Sequence, residues 1–362
     1  MNLRTPGPIP VPDDILDAMS GDMINHRGPE YKELLYRTTE GIKQIFETKH
    51  DVYIITASGT GAMEAAVTNT LSPGDKVVNV SVGVFGERFG DIAKIFGAEV
   101  IELKFAYGSA ADPDKLRAVL QENADVKAVL VTHNETSTGI ANDLEALAKV
   151  VKVEFSKLLL VDGISSVCSI PLSTDAWGCD VVATASQKGW MLPPGLAFLS
   201  FSDDAWKAYD QALMPRYYFD MGMYKKYFEI GQPPYTPAIS VMFALDLALE
   251  KIHSEGMGSI FERHATIGHM TRSAIKGLGL SLFADENFAS DTVTAVNVPD
   301  SINASELIGK MRTERNVVLT GGQGSLSGKI FRIGHLGLTN PEEIDDVIEG
   351  LSEVLPKVGF NS

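Results

Sequence analysis

Short apolar runs alternate with helix-patterned segments through the first part of the chain. The runs have the length and composition of buried strands, and the segments between them repeat apolar residues at helical spacing, as residues 31–48 do. This rhythm, with continuous apolar strands, predicts an α/β fold with a mostly parallel sheet covered on both faces. The predicted strands are residues 52–55, 77–82, 126–131, 158–161, 181–183 and 196–201.

The pattern changes in the last third of the chain. A long apolar-striped helix from Ile239 to Ile252 ends near Gly256, where we place a domain boundary. The pattern therefore predicts a large domain over residues 21–254 and a small α+β C-terminal domain over residues 255–362. The predicted elements of the small domain are helices at 261–278 and 341–355 and strands at 292–298, 317–319 and 330–333.

Residues 1–20 form a proline-rich arm that precedes the large domain. Four prolines between positions 6 and 12 exclude a helix there, and a short helix from Pro12 to Met19 follows. Such an arm either crosses onto a partner subunit or remains a solvated tail. The pattern leaves both interpretations open.

Composition and charge narrow the class of protein. The 362 residues are 44% hydrophobic and 22% charged, which is typical of a globular chain with a sizeable core. The net charge of -16 argues against binding to nucleic-acid phosphates or to anionic membranes. The two cysteines, Cys168 and Cys179, lie in apolar segments and fit a reducing compartment. With no signal-peptide pattern and no membrane-length apolar run, we expect a cytoplasmic protein.

One lysine stands between two predicted buried strands. Lys188 follows the apolar run 181–183 through the small polar loop Ser186-Gln187, and Pro193-Pro194-Gly195 precedes the next apolar run. Burial lowers the pKa of a lysine and thereby supplies a neutral amine for covalent chemistry. A lone lysine is more often an exposed loop residue, so its interpretation depends on its neighbours.

Further candidate residues follow the other strands. The sequence Ser58-Gly59-Thr60 links a strand to a strong helix former, an arrangement that points free amides and hydroxyls at an anion. Phe85, Thr136 and Asp162 come at the ends of three later strands. Because ligands bind at the carboxyl ends of parallel strands, we expect all of these residues at one site.

An acid, a lysine, an anion cradle and an aromatic ring together favour pyridoxal phosphate as cofactor. The chain resembles the class V aminotransferases of fold type I, specifically the branch of alanine/serine–glyoxylate and serine–pyruvate aminotransferases. The resemblance covers nearly the whole chain. It rests on motifs that occur in this order: Pro6-Gly-Pro8, Ser58-Gly-Thr60-Gly, Thr132-His-Asn-Glu-Thr136-Ser-Thr-Gly139, Leu160-Val-Asp162, Ser186-Gln-Lys188, Pro193-Pro-Gly195, Thr236-Pro-Ala-Ile-Ser240 and Phe331-Arg332-Ile-Gly334.

The resemblance implies a role for each cofactor-contacting residue. Lys188 binds the cofactor covalently and shuttles the substrate proton, and Asp162 pairs with the pyridine nitrogen. Phe85 stacks on one face of the ring, and Ile164 packs on the opposite face. The remaining implied contacts are a hydrogen bond from Thr136 to the ring oxygen and a phosphate site made by Ser58, Gly59, Thr60, Gln187 and, from a neighbouring subunit, Thr236.

The resemblance also implies a substrate site. Arg332 binds the α-carboxylate shared by amino acids and 2-oxo acids, because its planar guanidinium matches a carboxylate bidentately. Gly7 of the arm lies close to the same carboxylate. The segment around Tyr235 departs from the tyrosine loop of the animal branch, so Tyr235 is not assigned to the phosphate. His26 and His335 are expected to be structural.

Several other functions remain open from the sequence. A cysteine desulfurase or another class V lyase needs a nucleophilic cysteine on a mobile loop, and 2-aminoethylphosphonate is a further conceivable amino donor. Chains of this kind also carry the name of a soluble-hydrogenase small subunit, which would make the protein an interaction subunit. A nicotinamide-dependent oxidoreductase is disfavoured because Glu64 stands where the third glycine of the dinucleotide motif belongs. A non-enzymatic scaffold predicts neither cofactor nor turnover.

The sequence therefore predicts a homodimeric pyridoxal-phosphate aminotransferase with the active site shared across the interface. Alanine or serine is the expected donor, glyoxylate or pyruvate the expected acceptor, and the expected mechanism is ping-pong. We expect small-molecule partners, with no nucleic acid, membrane or metal.

Overall fold

The computed structural model describes residues 1–360, so the last two residues of the predicted C-terminal domain lie outside the described chain. Strand β1 belongs to the arm, β2 to β10 to the large domain, and β11 to β14 to the C-terminal part. The strands are β1 (Asn2–Leu3), β2 (Val52–Ala57), β3 (Lys76–Ser81), β4 (Glu99–Lys104), β5 (Ala128–Thr132), β6 (Asn134–Glu135), β7 (Ile140–Ala141), β8 (Leu158–Asp162), β9 (Val181–Ala185), β10 (Gly195–Phe201), β11 (Val293–Asn297), β12 (Val317–Val318), β13 (Thr320–Gly321) and β14 (Ile330–Gly334).

Helices follow most of these strands. Helix α6 continues into a π-helical turn, Lys149–Glu154. The α-helices are α1 (Asp13–Ala18), α2 (Pro29–Phe46), α3 (Gly59–Thr70), α4 (Val84–Ile95), α5 (Pro113–Glu122), α6 (Leu144–Ala148), α7 (Thr174–Trp177), α8 (Asp203–Tyr209), α9 (Met221–Phe228), α10 (Ile239–Glu255), α11 (Met257–Gly277), α12 (Ala304–Arg315) and α13 (Pro341–Val354).

The large domain is built on a seven-stranded sheet in the order β2-β10-β9-β8-β5-β3-β4. Its strands run parallel except β10, which pairs antiparallel with both β2 and β9. Every residue of β5 and β9 is buried, because helices cover both faces of the sheet. The predicted mostly parallel α/β sheet is confirmed.

Successive residues of the central strands face opposite helical layers. Val129 of β5 belongs to the hydrophobic cluster that includes Leu34 of α2 and Leu245 of α10. Its neighbour Leu130 belongs to the cluster that includes Met63 of α3 and Phe89 of α4. This alternation explains why the strands read as unbroken apolar runs in the sequence.

The C-terminal part has its own core and sheet. Its three antiparallel strands follow the order β11-β14-β13, and α11, α12 and α13 supply apolar residues to its cluster. Helix α10 ends at Glu255, and Gly256, at φ +81°, breaks the chain before α11 begins. The predicted boundary between residues 254 and 255 falls at this break, and the division into domains stays a prediction.

The arm folds back onto its own chain, which differs from the solvated tail that the sequence left open. Asn2 and Leu3 pair in parallel with β12, and the buried Arg4 forms an ion pair at 3.1 Å with Glu343, which is partly exposed. Ile9 and Ile15 are buried in the core of the large domain. Buried apolar side chains and a strand pairing hold the arm in place, so it is not a solvated tail.

Candidate active site

A cavity of about 220 Å³ opens at the carboxyl-terminal edge of the central sheet, between the sheet and the arm. All of the predicted site residues except Thr236 and Arg332 line it, so the ends of the strands bring these residues together. The lining residues are Gly7, Pro8, Ser58, Gly59, Thr60, Phe85, Arg88, Asn134, Thr136, Asp162, Ile164, Ser165, Gln187, Lys188 and Pro194.

Lys188 lies in the loop of residues 186–194 between β9 and β10. Ser186 fixes this loop, since its hydroxyl donates to the Pro193 carbonyl at 2.7 Å and accepts from the Leu196 amide at 3.2 Å. The Lys188 amine is buried and donates to the Pro6 carbonyl of the arm at 2.5 Å. Burial lowers the pKa of Lys188 to about 8, so about one tenth of the amine is neutral and nucleophilic at pH 7.

Asp162 ends β8 at the floor of the cavity. Its carboxylate accepts hydrogen bonds from the Ile164 amide at 3.0 Å and the Thr132 hydroxyl at 3.3 Å. Burial raises the pKa of Asp162, and the nearby Glu135 carboxylate adds a smaller upward shift. The resulting pKa is about 7. A carboxylate in this state is stabilised by any ligand that brings a cationic N–H group into the cavity.

The first turn of α3 faces the cavity with free backbone amides. Ser58 occupies the position before the helix in an extended conformation, and its side chain makes no capping hydrogen bond within the described chain. A Cβ on Gly59 would lie 2.5 Å from Cδ1 of Ile164, so only glycine fits there. Unsatisfied amides and the positive end of the helix dipole make this turn an anion cradle.

Two buried polar atoms on the cavity wall have no partner in residues 1–360. They are Oδ1 of Asn134 and Oε1 of Gln187. The Asn134 amide nitrogen donates to the Ser165 hydroxyl at 2.8 Å, and Thr136 donates to the same hydroxyl at 2.9 Å. Because buried polar groups in native proteins are normally paired, these atoms indicate a cavity shaped for a polar ligand.

Phe85 is held by a buried carboxylate that sequence reasoning did not single out. Glu135 accepts from the Phe85 and Gly86 amides at 3.1 and 2.9 Å and from the Ser137 hydroxyl at 2.5 Å. Burial raises the pKa of Glu135, and these three donors together with the Ser137 amide at 3.0 Å partly offset that effect. A Cβ on Gly83 would collide with this carboxylate, so glycine is required where the chain enters α4.

Arg332 lies behind the cavity wall rather than on it. The guanidinium is buried and donates to the Gly321 carbonyl at 2.8 and 3.1 Å and to the Thr136 carbonyl at 3.1 Å. Three of its five N–H donors are therefore occupied, and two remain for a ligand. The sequence could not show this, because the contact depends on the pairing of β13, which supplies Gly321, with β14, which carries Arg332.

Thr236 is exposed on the loop before α10, outside the cavity of its own chain. Tyr235 also lies away from the cavity, stacked on Tyr218 with ring centroids 5.0 Å apart. His335 is buried between the Thr294 hydroxyl at 3.0 Å and the Asp291 carbonyl at 3.0 Å, and burial lowers its pKa to about 3. These contacts agree with the structural role expected for His335.

The arm closes one side of the cavity. Gly7 adopts φ +135°, and a Cβ at this position would lie 2.5 Å from the Lys188 amine. Only glycine therefore fits between the arm and the lysine. The two cysteines are buried, and burial raises the pKa of Cys168 to about 12, so this thiol is not an activated nucleophile.

Comparison with known proteins agrees with this geometry. Residues 16–343 match the family "Aminotransferase class-V". The chain belongs to the class V aminotransferase family. It is 36% identical over 365 residues to a serine–glyoxylate aminotransferase of Arabidopsis thaliana, across 99% of this chain and 91% of the relative. The structure is similar to that of an alanine–glyoxylate aminotransferase from Nostoc sp., with a TM-score of 0.94, 30% identity and coverage of 98% and 94%.

A protein of a Synechococcus species named soluble hydrogenase, small subunit, is 41% identical over 362 residues, across 99% of this chain and 94% of the relative. That name describes the relative. The predicted fold type I architecture and the prediction of a transaminase are confirmed by the family and by the structural neighbours. No helix among residues 1–360 is long and apolar enough to cross a membrane.

Proposed function

We propose that this class V aminotransferase binds pyridoxal 5'-phosphate in the cavity and transfers an amino group from L-alanine or L-serine to glyoxylate or pyruvate. One observation carries the proposal: Lys188 and Asp162, whose pKa values burial shifts in opposite senses, line a single cavity. The relatives named serine–glyoxylate and alanine–glyoxylate aminotransferase support this class of substrates.

The residues present fit pyridoxal phosphate. Asp162 is a buried acceptor suited to a protonated ring nitrogen, and the free amides of Ser58–Thr60 suit a phosphate. The unpartnered side-chain oxygens of Asn134 and Gln187 are acceptors for N–H or O–H groups of the ligand. When bound, the cofactor supplies the electron-withdrawing ring that stabilises the carbanion left at the substrate α-carbon.

The chain's own residues then orient the substrate and move its proton. Lys188 would hold the cofactor through its neutral amine and would transfer the proton to and from the substrate α-carbon. Asp162 would keep the proton on the ring nitrogen. Phe85 and Ile164 would enclose the ring, and Thr136 would orient the ring oxygen.

The α-carboxylate of the substrate is assigned to Arg332. Its two remaining N–H donors suit a carboxylate, and Gly7 of the arm lines the same cavity. Binding at this buried guanidinium desolvates the carboxylate, which restricts the site to ligands with a well-placed negative charge. Every amino acid and 2-oxo acid carries this group, so Arg332 selects the substrate class and not the side chain.

The visible spectrum of the purified protein tests this function. We expect an absorption band of bound cofactor that L-serine or L-alanine bleaches and that glyoxylate or pyruvate restores, as ping-pong transamination requires. 2-Aminoethylphosphonate is added as a separate arm, and bleaching by this donor alone would replace the proposed substrates. A protein that stays colourless with added pyridoxal phosphate would remove Lys188 from its role.

A homodimer with shared active sites is part of the proposal. Tyr217 is 80% exposed and Tyr218 39% exposed, and both pack against Tyr235 beside Thr236. Exposed aromatic clusters of this kind mark interaction surfaces. We assign this cluster to the subunit interface, where Thr236 reaches the partner's phosphate site, and we place the dimer in the cytoplasm.

Sedimentation analysis of the purified protein tests the dimer. We expect a dimer whose dissociation constant rises on Tyr217→Ser substitution, with activity falling in parallel because each site loses Thr236. Lys207→Ser, on the exposed face of α8, serves as the control. A monomer with full activity would exclude a shared site.

A further inference from the structure

Arg88 is a cavity-lining cation without an assigned role. It lies in the second turn of α4, and its guanidinium carbon is 4.8 Å from the centroid of the Phe85 ring. Its Nη1 atom donates to the hydroxyl of Thr60 at 3.3 Å. The side chain thus connects the ring-stacking residue with the first turn of α3.

The carboxylates nearest to Arg88 in the sequence are engaged elsewhere. Glu87 pairs with Lys104 at 3.0 Å, and Asp91 lies 3.8 Å from Lys94. Within residues 1–360, Arg88 lies within 4.0 Å of no carboxylate. A half-buried arginine without a carboxylate partner, directed at a ligand cavity, is suited to an anionic ligand.

The charge balance of the cavity points to the identity of that anion. The anion cradle at Ser58–Thr60 offers neutral amides, hydroxyls and the partial positive charge of a helix end, roughly half an elementary charge. A phosphate carries close to two negative charges. The chain as a whole has a net charge of -16, so the surrounding field opposes anion binding unless a cation lies at the site.

Arg88 is also placed to affect the amine that reacts. Its positive charge is one of the influences that lower the pKa of Lys188, after burial itself. An anion bound at the cradle would partly neutralise this influence. The cation therefore lies within electrostatic range of both ends of the cavity, the anion cradle and the lysine.

We propose that Arg88 binds the phosphate group of the cofactor, as the cation that complements the neutral cradle Ser58–Thr60. The inference rests on the proposed function, because it takes pyridoxal phosphate as the ligand. The guanidinium turns from the Thr60 hydroxyl to the phosphate oxygens, while the Phe85 ring supports its planar face. Arg88 selects the phosphorylated cofactor over free pyridoxal.

Binding titrations of the full-length protein freed of cofactor test this inference. Pyridoxal phosphate and pyridoxal are titrated separately, and the dissociation constants are measured from the visible absorbance and from tryptophan fluorescence. For Arg88→Gln we expect pyridoxal phosphate to bind roughly 10- to 100-fold more weakly, the range for loss of a charge-assisted hydrogen bond. The constant for pyridoxal should stay unchanged, and Arg88→Lys should recover part of the affinity.

Lys94→Gln is the matched control, because this substitution removes the same charge from the same helix. Lys94 pairs with Glu102 at the surface. It should leave both constants unchanged. Equal weakening of pyridoxal and pyridoxal phosphate in Arg88→Gln would show that Arg88 acts through Phe85 on the ring and would overturn the inference. Unchanged constants with a raised KM for an amino acid would assign Arg88 to the substrate and overturn it too.

The outcome for the wild-type protein separates the two proposals. A wild-type protein that binds neither compound contradicts the proposed function itself. A wild-type protein that binds pyridoxal phosphate, with an Arg88→Gln variant of equal affinity, contradicts the role of Arg88 alone. Inorganic phosphate provides a second readout, because it should compete with pyridoxal phosphate in the wild type and roughly tenfold less well in Arg88→Gln.

Discussion

At the residue scale, the site depends on two ionisable groups. Burial destabilises the charged form of each. Lys188 and Asp162 are shifted toward their neutral forms by burial, and each also stabilises the charge of the other. The pair therefore adjusts together when a ligand enters the cavity. Mutation of one group should be visible in the titration of the other.

Removal of the Asp162 charge should lower the pKa of Lys188 below about 8, because the carboxylate raises that pKa. The neutral amine is the reactive form, so the rate of covalent pyridoxal phosphate attachment increases as pH rises through the pKa. We expect Asp162→Asn to move the midpoint of this rate profile to lower pH. Stopped-flow absorbance measures the profile, and Asp300→Asn, at an exposed turn, should leave it unchanged. A midpoint that moves upward would contradict the coupling.

Glu135 should contribute to stability through the turn that carries Phe85. Both oxygens of the Glu135 carboxylate accept hydrogen bonds from backbone N–H groups. In Glu135→Gln, an NH2 group replaces one of these oxygens and cannot accept, so at least one backbone N–H group loses its partner. We expect the free energy of unfolding to fall by about 1–3 kcal/mol in urea denaturation. Glu87 lies near the surface on α4, the helix that also carries Phe85. Glu87→Gln should change the free energy of unfolding by less than about 0.5 kcal/mol. Similar losses for both variants would contradict the role of Glu135.

The reactive residues are easier to locate from the sequence than the residues that hold them in position. Lys188 and Asp162 follow apolar runs, so the strand register alone placed them at the sheet edge. Glu135, Asn134 and Arg88 carry no such signal, because their roles arise from contacts between segments far apart in the sequence. For Glu135, the one available indication was a carboxylate within a segment, residues 132–139, that has no other Asp, Glu, Lys or Arg.

At the element scale, the arm is the part that the pattern described least well. Its prolines excluded a helix, but nothing in residues 1–10 indicated that a two-residue strand would pair with β12. Two-residue pairings depend on long-range packing, which local patterns do not contain. Helix α1, predicted from Pro12 to Met19, is found at Asp13–Ala18.

Substitution of Gly7 should affect the lysine more than the fold. In Gly7→Ala, the new methyl group would lie 2.5 Å from the Lys188 amine, and φ +135° would be strained. We expect covalent attachment of pyridoxal phosphate to slow roughly 10- to 100-fold, because a small displacement of the amine disrupts its approach. Gly74→Ala is the matched control, since Gly74 also has positive φ, at +87°, but a Cβ there meets no atom within 4 Å.

Both variants should lose a similar amount of stability from backbone strain, on the order of 1 kcal/mol. Thermal unfolding measures this loss, and attachment kinetics measure the effect on the lysine. An equal slowing of attachment in both variants would show that strain alone, and not contact with Lys188, causes the effect.

At the scale of the whole molecule, the sheet was predictable because its strands are buried on both faces. The continuous apolar runs became β2, β3, β5, β8, β9 and β10 with small shifts at their ends. The pattern missed β4, whose residues Glu99–Lys104 are half-buried at the sheet edge and carry charged side chains. An edge strand needs charges to avoid pairing with other chains, and those charges hide it from a search for apolar runs.

Buried histidines should make the molecule less stable in acid. Burial lowers the pKa of His133 and His264 to about 4 and that of His335 to about 3. An unfolded histidine titrates near pH 6.5, so between that pH and about 4 the unfolded state binds more protons than the folded state. Each such group lowers the free energy of unfolding by up to about 1.4 kcal/mol per pH unit as the pH falls.

Asp162 acts in the opposite sense, because its pKa of about 7 in the folded state exceeds the value near 3.9 of an unfolded aspartate. As the pH falls through this window, the folded state holds a proton that the unfolded state lacks, so Asp162 stabilises the fold. Glu135, whose pKa burial also raises, acts in the same direction. Three histidines against two carboxyl groups leave a net loss of stability on acidification.

Replacing one histidine should reduce this acid dependence by one proton. In His335→Asn, the amide retains a donor for the Asp291 carbonyl but does not titrate, so we expect a shallower decline of unfolding free energy between about pH 6.5 and 4. Urea denaturation at several pH values of the cofactor-free protein measures the slope, and His269→Asn, at an exposed position of α11, should leave it unchanged. If His335→Asn is less stable than the wild type by the same amount at every pH, then His335 binds protons equally in the folded and unfolded states, and its burial does not govern the acid limit of this fold.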